Sequence, residues 1–551
     1  MKRFASSFTS TLLSTFFLLF VLSSVSFSQT TTIGGVVRDS VTLAVLDSAR
    51  VDIVNAANSS EHYTVFTNNF GVWSHTFISN GVDDRDGLPT SFSLEQNYPN
   101  PFNPSTNIGF FVHSGGTVTL RVYSVLGQLL DARSTTLTPG GYNIPWTSKG
   151  AAGALFYSLE MNGQRLTRKM IQLDGGASGG LGDPTLTHSV APVSPSDRML
   201  ADYRVTVSKF GYEPDSTTVP LANNSNIDFR IQTIHRRAFL IDLHNDVMEI
   251  AVGGYQLGVR HTTNHSDLPR FFDGGVDAQM FAIWPSPTQF PSAGYARSIQ
   301  MIDSFDVQVT RNAPLFAQAR TSAEIEQVAA SGKMVGILGV EGGHAIEDNL
   351  NKLIALYQRG ARYLTITWNN STSWATAAAD AQSATRGLSE FGRQVIRTMD
   401  SLGMIIDVSH TGIKTIEDIL QTSTKPIIAS HSGARALRNH YRNLTDAQLT
   451  AIAQRGGVVG VVFYPPFLSA SSTVNIDTVI RHIDYIKNLV GIDHVALGSD
   501  FDGIEVTPVG LENVTKFPSL TLALLRRGYT STDVKKILGE NYMRVFRVVC
   551  Q

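Results

Sequence analysis

From residue 236 onward, short apolar runs alternate with helical segments, and this alternation restricts the fold more than any other feature of the chain. The runs fall at 238–244, 275–284, 334–341, 362–368, 404–410, 426–431, 458–464 and 494–500, separated by segments such as "TSAEIEQVAASG" and "GLSEFGRQVIRTMDSLG". A strand that is apolar along its whole length must be covered on both faces, which favours a parallel sheet wrapped in helices. Eight such strands with helices between them predict an α/β fold, a (β/α)8 TIM-like barrel.

In such barrels the chemistry sits at the C-terminal ends of the strands. The first run, "FLIDLHNDVM", turns polar there, at His244, Asn245 and Asp246. The third ends in "GVEGGH" with Glu341, the fifth in "DVSH" with His410, the sixth in "ASHS" with His431 and the eighth in "GSDFDG" with Asp500. Residues two apart on an extended strand share a face, so a His-x-Asp pair can reach one ion. Two imidazoles from neighbouring strands can hold a second, and one carboxylate can bridge both. A lone histidine after a strand is usually structural; the repetition across five strand ends is what points to a metal site. The donors are nitrogen and oxygen without thiolate, which suits zinc and related divalent ions.

Composition removes other classes. Lys and Arg total 44 against 46 Asp and Glu, a formal net charge of -2 that argues against nucleic acid or an anionic membrane recruited by bulk charge. The single cysteine, Cys550, forbids an intramolecular disulfide and a cysteine-based zinc cluster. "MKRFASSFTSTLLSTFFLLFVLSSVSFSQ" has the pattern of a signal peptide over 1–28, with Lys2 and Arg3, an apolar stretch and then small residues. Its apolar core is shorter than the roughly 20 residues of a spanning helix, so no membrane helix is expected after its removal.

Residues 30 to 235 are rich in Thr, Ser, Val, Gly and Asn, with alternating runs such as "TVTLRVYSV" that predict all-β sandwiches. "GGVVRDSVTLAVLDSARVDIV" and "YRVTVSKFGYEPDSTTVPL" resemble the first and last strands of a carboxypeptidase-regulatory-like sandwich, split over 30–85 and 200–233. Between them, "QNYPNPFNPST", "VTLRVYSVLGQLL" and "RLTRKMIQL" resemble the sorting domain of type IX secretion, here inserted over 90–174 and followed by a linker at 175–199. That family module usually stands at the extreme C-terminus, so an internal copy can equally be a structural spacer. The expected location is outside the cytoplasm of a Gram-negative bacterium, secreted or in the periplasm or at the cell surface.

Over 236–551 the motifs "DLHNDV", "VEGGHAIEDNL", "DVSHTG", "SHSGARALRNHYRNLTDAQL", "HVALGSDFDGI" and "GENYMRVF" resemble the membrane dipeptidase family of the amidohydrolase superfamily. The resemblance implies a secreted binuclear zinc dipeptidase with two Zn2+ per chain. His244 and Asp246 would hold one ion, His410 and His431 the other, and Glu341 would bridge them. Asp500 would move protons to and from the attacking water and the leaving amine. Arg442, in "HYRN", would grip the substrate carboxylate, and Tyr464, in "VVFYPP", would line the pocket. The family commonly has a histidine after strand four where this sequence has Trp368, in "YLTITWNNSTSWA"; an indole donates one hydrogen bond and cannot become a cation. His265, His344 and His440 are read as structural or supporting residues.

These residue types suit hydrolysis by a metal-bridging hydroxide: paired divalent ions lower the pKa of a bound water and polarise a carbonyl, and a neighbouring carboxylate shuttles the proton. A guanidinium meets a carboxylate through two parallel hydrogen bonds, which selects substrates with a free C-terminus. The same chemistry serves a β-lactam, an N-acyl amino acid or a dipeptide with a D-residue. A catalytically silent surface binding protein is a further alternative, and a homodimer is left open.

Overall fold

The computed structural model describes residues 29–79, 92–112, 114–148, 152–173, 179–189, 201–221 and 225–551. The leader expected at 1–28 and much of the 175–199 segment lie outside the described residues. The chain folds as an α/β barrel preceded by β-sheets that are antiparallel except where Gln29–Asp39 runs parallel to Ser225–Asn226 and Phe229–Ile231.

Eight parallel strands form the barrel in chain order: β1 (Ile241–Asn245), β2 (Ala278–Ile283), β3 (Met334–Glu341), β4 (Ala361–Thr365), β5 (Ile405–Asp407), β6 (Ile428–Ser432), β7 (Val458–Val461) and β8 (Val495–Leu497). Residues of all eight strands are buried, which is why they read as continuous apolar runs. The ring closes between its ends: Asp246 N donates to Phe501 O at 2.9 Å and Asp500 N to His244 O at 3.2 Å. A short extra strand, Phe316–Gln318, lies against the start of β3.

Several strands are shorter than the apolar runs that predict them. Trp368, His410, Tyr464 and Asp500 lie beyond the ends of β4, β5, β7 and β8, in loops at the C-terminal rim. The runs overshoot because the first loop residues are as apolar and as buried as the strands. Ile366, Val408, Val462 and Phe463 show this.

Inside the barrel the packing serves the rim. Any Cβ at Gly339 would lie 2.1 Å from the Tyr363 ring, so only glycine on β3 leaves room for that side chain from β4. Tyr363 thereby reaches Nδ1 of His244 with its hydroxyl at 2.8 Å. At the opposite end, Tyr542 and Phe546 of the helix Asn541–Val549 pack in one cluster with Ile241, Ala278, Val335 and Ile405, the early residues of the strands. That helix covers the N-terminal mouth and leaves the C-terminal rim for the site.

In the N-terminal region, strand Arg50–Asn55 pairs with His62–Phe66 on one side and with Asp202–Ser208 on the other. Gln29–Asp39 likewise pairs with Val72–Ser79 and with Phe229–Ile231. Val51, Ile53, Trp73, Tyr203 and Phe229 share one core. The intervening chain makes two further four-stranded sheets around Ile108, Phe110, Leu120, Trp146 and Tyr157. One difference from the sequence reading appears here: Thr185–Ser189, placed in the linker, pairs as an edge strand with Gly140–Thr147. Its "TLTHS" alternation is too short to stand out from the Gly- and Pro-rich residues flanking it.

The barrel unit also begins slightly before residue 236. Thr233 caps the short helix Ile234–Arg237, and the buried His235 bonds Thr521 Oγ1 and Gly274 O, each at 2.7 Å. Across the junction with the sheets, Glu213 pairs with Lys535 at 2.6 Å and Asn103 donates to Arg526 O at 2.7 Å.

Candidate metal centre

The rim gathers the residues that the strand ends present. Glu341, the last residue of β3, lies with its two carboxylate oxygens in different company. Oε2 is 3.5 Å from His244 Nε2, whereas Oε1 is 3.0 Å from His410 Nε2 and 3.6 Å from His431 Nε2. Asp246 Oδ2 stands 3.3 Å from His244 Nε2. Asp246 is not on the strand, as the spacing argument has it: it follows β1 with φ -98° and ψ 13°, yet stays beside His244. Asp500 joins His244 and Asp246 in a group whose ligand atoms lie within 4.8 Å of one another. Non-glycine residues rarely adopt left-handed backbone, but His410 at φ 62° and Asp500 at φ 63° both do, which fits a site where the fold imposes geometry.

Each imidazole is oriented from behind. His244 Nδ1 meets Tyr363 OH, His410 Nδ1 meets Asn369 Oδ1 at 2.9 Å and His431 Nδ1 meets Ser430 Oγ at 2.8 Å. Ser430 gives its own hydrogen to Asp407 Oδ2 at 2.7 Å, so its oxygen accepts from His431. Asp407 also accepts from Thr365 Oγ1 and from the backbone N–H groups of Ser409 and Ser430. With the Nδ1 atoms of His410 and His431 acting as donors, their Nε2 lone pairs are left free, and these two atoms are 3.0 Å apart. Facing lone pairs at that distance repel unless a cation lies between or beside them. His244 Nε2 is buried and has no hydrogen-bond partner.

At His410 and His431 the electrostatics agree with neutral imidazole donors, whereas at His244 burial is outweighed by Tyr363, Asp246 and Glu341, which raise its pKa well above the ordinary histidine value. Burial, aided by the Arg442 guanidinium, pushes His410 down to about 4 against the pull of Glu341. Burial, with His244 and Arg442, holds His431 well below the ordinary histidine value. Burial opposes ionisation of Glu341, but His244 and His410 outweigh it and keep that carboxyl well below the usual range. Burial raises Asp500 well above it, with Asp246 and Glu341 adding to the effect and His244 opposing. Buried nitrogen lone pairs beside three converging carboxylates are the donor set of a divalent ion, and such residues fit one or two of them.

A cavity of about 220 Å3 opens above the cluster. Arg442, only 2 % exposed, borders it; Nη2 donates to His431 O at 3.3 Å, its Nε and Nη1 groups have no partner, and its guanidinium lies over the Phe467 ring. Tyr464 lines the same wall with its hydroxyl 3.3 Å from Glu505. Trp368 borders the same cavity, its ring 5.0 Å from Trp284 and 6.1 Å from His410. The remaining histidines stay outside the cluster. His265 Nδ1 accepts from Asp502 N, His344 Nε2 bonds Pro285 O and His440 Nδ1 accepts from Arg442 N.

Sequence reasoning names the residues that converge but misses those behind them. Tyr363, Asn369, Ser430 and Asp407 carry no motif signal of their own, since a tyrosine or serine inside an apolar strand reads as core. Glu249 and Glu505, two further carboxylates on the cavity, are also missed.

Comparison with known proteins agrees with this geometry. Residues 229–551 match the sequence model described as membrane dipeptidase, peptidase family M19. Among solved structures, the chain is 29% identical to the dipeptidase AC, a metallopeptidase of family M19, over 57% of this chain and 99% of that one, with TM-score 0.53. It is 28% identical, with the same coverage and TM-score 0.53, to a metallopeptidase from Rhodobacter sphaeroides liganded with a phosphinate mimic of the dipeptide L-Ala-D-Ala. It is 27% identical to an amidohydrolase from Pseudomonas aeruginosa, over 57% of this chain and 98% of that one, with TM-score 0.51. With that match spanning its whole barrel, the chain belongs to the membrane dipeptidase family, peptidase family M19.

Proposed function

We propose that the protein is an exported binuclear zinc dipeptidase, acting on L,L and L,D dipeptides with a free C-terminus. The observation that carries this reading is the division of Glu341, one oxygen toward His244 and the other toward His410 and His431. His244 and Asp246 would hold one ion, His410 and His431 the second, and Glu341 would bridge them. Bound there, two zinc ions would lower the pKa of a bound water and polarise the scissile carbonyl.

The chain's own residues supply the rest. Arg442 offers two unpartnered N–H groups for the substrate's carboxylate and thereby fixes which bond lies over the cluster. Asp500, held protonatable by its burial, accepts the water's proton and delivers it to the leaving amine. Tyr464 and Phe467 close the cavity on the Arg442 side. Asn369, Ser430 and Tyr363 hold the imidazole rings in place. The dipeptide mimic bound by the Rhodobacter sphaeroides relative supports both the substrate class and tolerance of a D-residue.

The same reading divides the chain into a leader at 1–28, a split sandwich at 30–85 and 200–233, an inserted sorting-like sandwich at 90–174, a linker at 175–199 and the barrel at 236–551. The strand pairs that join residues 50–55 to 202–208 support the split. No helix among the described residues is long and apolar enough to cross a membrane. A dipeptide panel run beside penicillin and N-acetyl amino acids tests the activity: hydrolysis of dipeptides alone is expected, and faster turnover of the β-lactam or N-acyl substrate overturns the assignment. N-terminal sequencing of the mature protein tests export, with a start near Gln29 expected.

A further inference from the structure

Beyond Trp368 and Asn369, which border the cavity over the metal-ligand cluster, lies a second cavity of about 430 Å3 that these two residues also line. Small-molecule sites commonly enclose several hundred Å3. The 220 Å3 over the cluster alone falls short of that range, and the two joined reach it.

The order of strands gives the extension a direction. Arg442 follows β6, and in a ring of eight strands β2 stands opposite β6. A dipeptide whose carboxylate rests on Arg442 and whose scissile bond lies over Glu341 must send its N-terminal residue toward the far rim. Trp284 stands there, after β2, and Trp368, after β4 a quarter turn round the ring, meets it with the two rings 5.0 Å apart and tilted 50°. Behind them the second cavity is lined by Pro287, Phe290 and Pro291 together with the uncharged polar Thr288, Asn369 and Asn370, and it holds no Asp, Glu, Lys or Arg. The one titratable ring on it, His344, is kept below its ordinary pKa by burial. The cavity over the cluster, by contrast, carries five carboxylates. Apolar side chains gain by leaving water in such a place, and charged ones lose hydration without a partner.

We infer that the substrate cleft runs past Trp368 into this second cavity, and that it selects dipeptides whose N-terminal residue carries a large apolar side chain, aromatic above all. This rests on the dipeptidase reading and names the substrate class within it. Trp368 and Trp284 are the specificity-determining wall, stacking edge or face against the ring they receive.

The test measures kcat/KM of the full chain for Phe-Ala, Ala-Ala and Lys-Ala, with metal content determined in parallel. Hydrophobic pockets discriminate by about ten- to 200-fold, so Phe-Ala is expected to exceed Ala-Ala within that range, with Lys-Ala below Phe-Ala. Thr288→Trp, at an exposed position on the second cavity, and Trp368→Ala should each lower the Phe-Ala to Ala-Ala ratio by about tenfold or more without loss of metal. A wild-type ratio near one, or a ratio unmoved by both substitutions, overturns the inference. Calorimetric affinity for phosphinate dipeptide mimics bearing Phe or Ala at the N-terminal position reads the same ratio without turnover. A protein inert toward every dipeptide would therefore sink the proposed function, while the affinity ratio still decides the extension.

Discussion

Removing the Arg442 guanidinium separates a dipeptidase from a general amidohydrolase. The side chain is buried, and only Nη2 is engaged, by a long bond to His431 O, leaving Nε and Nη1 for a ligand. A hydrogen bond to a charged partner contributes about 1.5 to 3 kcal/mol, so Arg442→Ala should lower kcat/KM for a dipeptide about ten- to 150-fold. The lost contact with His431 O is weak by its length, so metal content should stay as in the wild type. Steady-state kinetics on a dipeptide and on its C-terminal amide provide the assay. The amide lacks the carboxylate, so it should be poor in the wild type and change little in the variant, and the preference for free acid should largely vanish. Equal losses on both substrates, or loss of metal, would show that Arg442 supports the cluster and would refute its role as the carboxylate anchor.

Other perturbations test the cluster and the barrel boundary. Glu341→Gln should cost both ions, whereas Asp500→Asn should keep them and lose turnover, as elemental analysis and kinetics would show; full metal occupancy in Glu341→Gln contradicts the bridge. Tyr363→Phe removes the hydroxyl behind His244, and loss of such a partner weakens metal binding by about 10- to 100-fold, measurable by chelator competition. A chain shortened to begin at Asp228 should keep its activity and Tm. One that begins at Arg236 loses His235, leaves Thr521 and the Gly274 carbonyl without their partner, and should lose about 1 to 3 kcal/mol of stability, seen as a lower Tm.

What the sequence makes legible follows from what each residue does to the pattern. A histidine or carboxylate at the end of an apolar strand breaks a run that burial would otherwise continue, so His244, Glu341, His431 and Asp500 stand out. The barrel is legible for the same reason, since its strands must be apolar on both faces. Tyr363 is invisible because its ring fills the barrel like any core aromatic and only its hydroxyl reaches the site. That it fits at all depends on Gly339, a residue one strand away. Asn369 and Asp407 are hidden because most of their partners come from neighbouring strands, far away in sequence, and not from local spacing. The start of the barrel at Thr233 is hidden because a four-residue helix has no periodicity to read. The edge strand Thr185–Ser189 is missed because its glycine- and proline-rich neighbours carry the signal of a linker.

The central claim is that three imidazoles and two carboxylates at the rim, His244, His410, His431, Asp246 and Glu341, hold metal and that this metal is needed to cut dipeptides. Elemental analysis of the purified full chain, coupled to dipeptide turnover before and after chelation, tests it most directly. The account predicts close to two zinc ions per chain, turnover abolished by the chelator and restored by zinc. Full dipeptide turnover from metal-free protein, or a protein loaded with two ions that cleaves no dipeptide, would contradict it.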